Sequence, residues 1–145
     1  MDARTREILQ LDLIFDHIAR RASSSLGREY VRALQPADRK DDVERRAAPI
    51  RDLLRVLEAG EQLPLGGLHD IRSQLNKARV EGSVLEAEEW RPVERFLQIL
   101  AELANFATRH GGEYPDLARL MVDCEDHREL RDALARTFDD EGKIG

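Results

Sequence analysis

The stretch that decides the fold reads Leu63-Pro64-Leu65-Gly66-Gly67-Leu68-His69-Asp70-Ile71. It contains most of a Pro/Gly connector at residues 61–70, which separates two long, charged segments of helical pattern. Gly66 and Gly67 have no β-carbon, so they accept the positive φ angles that other residues resist. Asp70 is placed to cap a helix that begins at about Ile71. The connector therefore predicts a turn between helices inside a single helical domain, residues 1–145.

The composition favours helices over strands. Of the 145 residues, 41% are hydrophobic and 36% are charged, but only 5% are aromatic. Leu, Ala, Arg and Glu dominate, and these residues favour helices, whereas strands prefer β-branched and aromatic residues. The length suits one domain with a real core. We predict an all-α fold, a multi-helix bundle.

Apolar spacing and capping residues predict seven helices. The expected ranges are 11–22, 26–34, from 41 or 42 to just before Gly60, 71–78, 86–109, 114–121 and 129–138. Ser23-Ser24-Ser25 is placed to cap the second of these, and Pro36 follows its end. Gly60 is expected to end the third helix and Gly82 the fourth.

Two of these helices have informative apolar faces. In the third helix, the apolar side consists of Val43, Ala47, Ile50, Leu54 and Leu57. Pro49 lies inside this pattern and is expected to kink or split the helix. In the long fifth helix, two adjacent stripes run along Val93, Leu97, Leu100, Ala104 and Ala107 and along Phe96, Ile99, Leu103 and Phe106. A face this wide predicts contact with more than one neighbour.

No catalytic, cofactor-binding or metal-binding residue is predicted. The one Gly-Lys pair, Gly142-Lys143, lacks both the first glycine and the Ser/Thr of a Walker phosphate loop. Cys124 and His127 are three residues apart, but a closed zinc site needs four ligands and no second Cys/His pair is present. Trp90 and Tyr114 are best interpreted as core residues.

Charge and targeting signals narrow the class of protein. No apolar run approaches the roughly 20 residues that span a bilayer, and the N-terminus has no signal-peptide core. One cysteine permits no internal disulfide, so we expect a cytoplasmic protein without membrane contact. A net charge of −6 argues against a stand-alone nucleic-acid binder. Basic pairs such as Arg20-Arg21, Arg39-Lys40 and Arg45-Arg46 could face phosphates, although ion pairs with interleaved carboxylates are the favoured interpretation.

Several short motifs follow one another in an order that resembles a known family. They are Leu13-Ile14-Phe15-Asp16-His17-Ile18, Ser25-Leu26-Gly27-Arg28-Glu29 with Leu34-Gln35-Pro36, Val43-Glu44-Arg45, Leu63-Pro64-Leu65-Gly66-Gly67 with Asp70-Ile71-Arg72, Gly82-Ser83-Val84-Leu85 and Phe138-Asp139-Asp140-Glu141-Gly142-Lys143-Ile144. Over residues 11–144 this order resembles the N-terminal core region of the second bacterial MutS family, the mismatch-repair paralogue with a C-terminal Smr domain. Ile14 and Glu86-Ala87 depart from the family pattern, and the second departure predicts a weaker cap for the long helix.

The resemblance implies the N-terminal fragment of a much larger protein that continues past Gly145. Members of this family resemble dimeric ATPases in which the helical core continues into lever helices and a clamp and then returns to the ATPase. The whole protein would use ATP and Mg²⁺, with no cofactor in residues 1–145. It would act on branched DNA or the ribosome, in suppression of homologous recombination, DNA repair and stalled-ribosome rescue. His110-Gly111-Gly112 resembles part of an Smr motif, but Glu113 replaces its last glycine.

Three hypotheses about function follow. In the first, the chain is a non-catalytic core domain that couples the clamp to the ATPase, and its partner is the rest of its own chain. That hypothesis predicts that the isolated chain exposes apolar surface and self-associates. In the alternative, the chain is a free-standing helical adaptor that binds a partner helix in a groove, and its acidic C-terminal segment selects a basic partner. The third, a small metal-dependent enzyme using Cys124 and His127, has little support.

Overall fold

The computed structural model describes residues 3–137, with the backbone alone at residues 3, 6 and 137. These residues form eight α-helices and no strand, which confirms the all-α prediction. The helices are α1 (Ala3–Ile8), α2 (Leu11–Ala19), α3 (Ser25–Ala33), α4 (Lys40–Glu58), α5 (Arg72–Ala78), α6 (Ala87–His110), α7 (Pro115–Arg119) and α8 (Arg128–Thr137). The sequence pattern missed α1. No helix among the described residues is long and apolar enough to cross a membrane.

The ends of the helices follow from a few capping groups. The Ser24 hydroxyl accepts a hydrogen bond from the Gly27 N–H at 3.0 Å and starts α3, as predicted. Gly60, at φ 78°, ends α4: its N–H donates to the carbonyl of Leu57, and the next N–H, of Glu61, donates to Val56. This pair of bonds is a Schellman motif. The cap of α6 is stronger than expected, because Glu86 and Glu89 form a reciprocal capping box.

Helix α4 continues through Pro49, so it is not split there. The side of α4 that faces the core differs from the apolar side of the sequence pattern. Its buried residues are Asp52 and Val56, with Leu53 half-buried beside them, whereas Val43, Ile50, Leu54 and Leu57 are exposed. Every residue of the predicted apolar side apart from Ala47 therefore faces solvent. The core contacts α4 on its other side.

Two buried clusters form the core, and α6 runs through both. Val56, Phe106, Tyr114, Leu117 and Met121 join α4, α6 and the segment around α7. Ile71, Val93, Leu97 and Leu134 join the start of α5, α6 and α8, with Trp90 packed against them. The wide apolar face of α6 accordingly contacts α5, α7 and α8, as its two stripes predicted. The predicted core position of Tyr114 is also confirmed.

The first three helices form a separate layer. Helix α2 packs against both α1 and α3, and among the described residues the backbones of these three helices do not closely approach those of α4–α8. Polar bonds join the layer to the rest: Glu29 to Arg72 at 2.6 Å, and the Arg46 guanidinium to the carbonyl of Gln35 at 2.6 Å. On α2, Ile14 and Ile18 are about half exposed, and the helix ends at Ala19, three residues before the predicted end.

The connector at residues 61–70 is held against α6. The guanidinium of Arg95 donates two hydrogen bonds to the carbonyl oxygen of Gly66, at 2.7 and 3.2 Å. Gly67 has the positive φ, 78°, that the sequence led us to expect. The Asp70 carboxylate accepts the N–H of Arg72, so α5 begins one residue later than predicted. The motif from Phe138 to Ile144, with Asp139-Asp140 and Gly142-Lys143, lies outside the described residues.

Candidate interaction surface

The residues considered for metal chemistry do not come together with other ligands. Within residues 3–137, no three His, Cys, Asp or Glu side chains are grouped so that they could hold a metal ion. Cys124 is half-buried against the cluster of Phe106 and Met121, while His127 is exposed. Burial raises the pKa of the Cys124 thiol, and the neighbouring charge of Asp123 adds to this effect. Cys124 therefore resembles a core residue more than a metal ligand.

The buried charge of this region has a structural partner. Asp52 is 6% exposed, and its carboxylate accepts the backbone N–H groups of Asp116 and Leu117 at 2.8 and 3.1 Å. These are the second and third residues of α7, whose own cap residue, Tyr114, makes no side-chain capping hydrogen bond. Asp52 thus caps a helix that is distant in sequence, a role that no local pattern could have indicated.

The arginine one turn along α4 completes this contact. Arg55 lies 3.2 Å from Asp52, donates to the carbonyl of Glu113 at 2.9 Å and lies 5.1 Å from the centre of the Tyr114 ring. His110 stacks on Phe106, with ring centres 4.8 Å apart, at the end of α6. The Smr-like residues His110-Gly111-Gly112 are therefore part of the packed junction between α6 and α7.

An apolar groove lies between α3, α4 and α7. This groove has a volume of about 540 Å³, and its apolar lining is Tyr30, Leu34, Pro49, Ile50, Leu53, Leu117 and Leu120. Tyr30 and Leu120 are both more than two-thirds exposed. The charged residues that line it are Arg45, which pairs with Asp42 at 2.5 Å, and Arg46. The groove therefore offers apolar contact together with positive charge.

A second apolar surface follows the outer side of α4. We call it the α4 seam, and it consists of Val43, Ala47, Ile50, Leu54 and Leu57. The four larger side chains are between 51% and 58% exposed. Their spacing alternates between four and three residues, which is the a/d pattern of helices that pair side by side. An exposed apolar stripe of this length marks a contact surface.

Comparison with known proteins gives the family context. A protein of Symbiobacterium thermophilum named Endonuclease MutS2 is 35% identical over 149 residues, an alignment that covers 91% of this chain and 18% of the relative. The chain resembles a fragment of a MutS2 protein. Endonuclease MutS2 of Exiguobacterium sibiricum is 27% identical and that of Geobacillus thermodenitrificans 29%, and each alignment covers 99% of this chain and 19% of the relative.

The MutS2 resemblance confirms the prediction from the ordered motifs. The chain spans less than a fifth of the length of these MutS2 relatives. No family model and no solved structure matches the chain.

Two of the motifs that carry the MutS2 resemblance meet in the structure. Arg72 of the connector motif donates to Asp70 at 2.6 Å and to Glu29 of the second motif at 2.6 Å. These bonds hold the pKa of Glu29 and of Asp70 below their ordinary values, and they raise the pKa of Arg72. The matched residues of this pair of motifs thus fasten the N-terminal layer to the start of α5.

Several basic residues of the first third of the chain have local acceptors. Arg32 pairs with Asp16 at 3.1 Å, and Lys40 pairs with Glu44 at 3.6 Å. Arg28 donates to the carbonyl of Ala22 at 3.0 Å. These contacts agree with the favoured interpretation of ion-paired, solvated helix faces.

Proposed function

We propose that the chain is the helical core domain of a MutS2-type protein, a non-catalytic part that couples a nucleic-acid clamp to an ATPase. One observation carries the proposal: nearly the whole chain aligns with about a fifth of each MutS2 relative. The relatives are named as endonucleases, and on this proposal the endonuclease and ATPase groups lie in the remaining four-fifths. ATP and Mg²⁺ would bind there as well.

The architecture suits a mechanical role. Helix α6 has 24 residues, which gives a length of about 36 Å. It contacts α5, α7 and α8 along this length, and Arg95 fastens the connector to it. Coupling between two sites needs a packed element whose state both sites influence. A helix anchored on several sides can transmit a displacement from one end to the other.

The exposed apolar surface supports the proposal that this chain is part of a larger protein. The groove and several side chains of α2 are open to solvent, including Leu13 and Ile18. On this proposal the groove contacts the rest of the same chain, its lever, clamp or ATPase. The whole protein would be a cytoplasmic homodimer acting on branched DNA or ribosomes, in recombination control, DNA repair or ribosome rescue.

The test uses the longer protein that contains this chain. Leu120→Glu places a charge in the groove, and because Leu120 is 68% exposed the domain itself should still fold. We expect ATP hydrolysis without DNA to be unchanged and its stimulation by branched DNA to be lost. Val84→Glu is the matched control, since Val84 is 74% exposed and does not line the groove. Normal stimulation in the Leu120→Glu protein would contradict the coupling role.

A free-standing adaptor is the second candidate, and the groove favours it. Its apolar lining and two arginines suit an amphipathic helix that carries carboxylates. The two candidates predict different sizes for the native protein, which an immunoblot against this chain would measure. A band several times larger than 16.6 kDa supports the core domain, whereas a band at 16.6 kDa supports the adaptor.

A further inference from the structure

The α4 seam carries an inference that goes beyond the proposed function, and it shares one residue, Ile50, with the lining of the groove. It is a heptad stripe on a helix whose opposite side is already fixed in the core by Asp52 and Val56. We propose that the α4 seam binds the α4 seam of a second copy of this chain, as an antiparallel helix pair with two-fold symmetry. Such an interface is isologous, so each contact occurs twice.

One register of the antiparallel pair brings together four of the five seam residues, and Leu57 lies beyond the paired layers. In the heptad, Val43 and Ile50 occupy d positions, and Ala47 and Leu54 occupy a positions. In an antiparallel pair a positions face d positions, so Val43 lies opposite Leu54 of the second copy and Ala47 lies opposite Ile50 of the second copy. Symmetry repeats both contacts. The two-fold axis then passes between Ala47 and Ile50, near the centre of the helix, and small and large side chains alternate along the seam.

The charges beside the seam select the same register. Three exposed charged residues lie in the e positions of the heptad, each directly after a d residue. They are Glu44, Arg51 and Glu58. In antiparallel pairs these positions face each other, which places Glu44 opposite Arg51 of the second copy, twice. Glu44 lies 3.6 Å from Lys40 in an exposed pair, a weak contact that leaves its carboxylate accessible. The juxtaposed charges are therefore complementary.

Other arrangements bring like charges together. Moving the second helix by one heptad puts Arg51 opposite Arg51 and Glu44 opposite Glu58. A parallel pair puts Arg46 opposite Arg51 of the second copy, and by symmetry this repulsion occurs twice. Like charges at such positions oppose pairing, so charge discriminates among registers and orientations. The cost of ordering the helix is also small, because α4 is already folded within each copy.

The experiment is sedimentation of the chain over a wide concentration range, with charge-reversal variants. We expect a monomer–dimer equilibrium in which Glu44→Arg or Arg51→Glu alone weakens dimerisation about tenfold or more, since each reversal replaces two attractions by two repulsions. The double variant, Glu44→Arg with Arg51→Glu, should restore the original affinity. The proposal would be overturned by a chain that is monomeric at every concentration, or by a dimer whose affinity neither single reversal changes.

Two further variants test the register and the apolar contact. Glu58→Arg makes the same reversal on the same helix, but Glu58 lies beyond the paired layers and should leave the affinity unchanged. A tighter dimer for Glu58→Arg would show the shifted register and contradict the proposed one. Ile50→Glu should abolish the dimer while circular dichroism remains that of the folded chain, because Ile50 is 58% exposed. Persistence of the dimer in this variant would place the interface elsewhere.

Discussion

The carboxylate of Asp52 in α4 accepts a hydrogen bond from the backbone N–H of Asp116, at 2.8 Å and across 64 positions of the sequence. The same oxygen accepts the N–H of Leu117. The first turn of any helix has N–H groups without partners inside the helix, and a negative charge beside them is favourable. Asp52 provides both the acceptor and the negative charge at the N-terminus of α7. This explains why a charged residue lies at the centre of the buried side of α4.

Removal of this carboxylate should destabilise the fold. Asp52→Ala leaves two N–H groups without acceptors, one buried and one part-buried, so we expect the free energy of unfolding to fall by about 2–4 kcal/mol. Asp52→Asn keeps an acceptor oxygen and should cost less. Asp41→Ala is the matched control, because Asp41 lies in the same helix with its side chain 83% exposed. Chemical denaturation measures all three, and an equal loss for Asp41→Ala would contradict the capping role.

The two adjacent glycines of the connector should respond differently to the same substitution. Gly67 has φ 78°, and a β-carbon there would lie 3.2 Å from Nε of Arg95, whereas a β-carbon at Gly66 would meet nothing within 4 Å. We expect Gly67→Ala to lower the free energy of unfolding by about 1–2 kcal/mol because an L-residue is strained in this conformation. Gly66→Ala should be close to neutral. Thermal unfolding of the two variants gives the comparison, and equal melting temperatures would argue against it.

Acid should release the bond between the N-terminal layer and α5. Hydrogen bonds from Arg72 lower the pKa of Glu29 and of Asp70. Groups with a lowered pKa in the folded state stabilise it above their ordinary pKa, and this contribution is lost as the pH falls through the lowered values. Arg72→Gln should therefore be less stable than the original chain at neutral pH, and the difference should shrink as the pH falls through the lowered pKa values of Glu29 and Asp70. A difference that is independent of pH would show that Arg72 acts through packing alone.

The sequence predicted the helices well because their ends depend on local groups. Ser24 and Gly60 each act on residues within one turn, so their roles can be read from neighbouring positions. The orientation of α4 depends instead on Asp52, a charged residue that resembles a solvent-facing one until α7 supplies its partners. The backbone N–H groups of α7 that bond Asp52 lie 64 and 65 positions away in sequence, so the local pattern of α4 does not indicate which side faces the core. The hydrogen bond from Arg95 to the carbonyl of Gly66 was missed because these residues are also distant in sequence.

The reactivity of Cys124 should be that of a partly buried thiol. Burial raises its pKa, so less of the nucleophilic thiolate is present at neutral pH than in an unperturbed cysteine. We expect alkylation of the folded chain to be slower than alkylation of the chain unfolded in urea, and its pH profile to be displaced to higher pH. Asp123→Asn removes the neighbouring charge and should accelerate the reaction slightly. Faster alkylation in the folded chain would indicate an activated thiolate, as a catalytic or metal-binding cysteine requires.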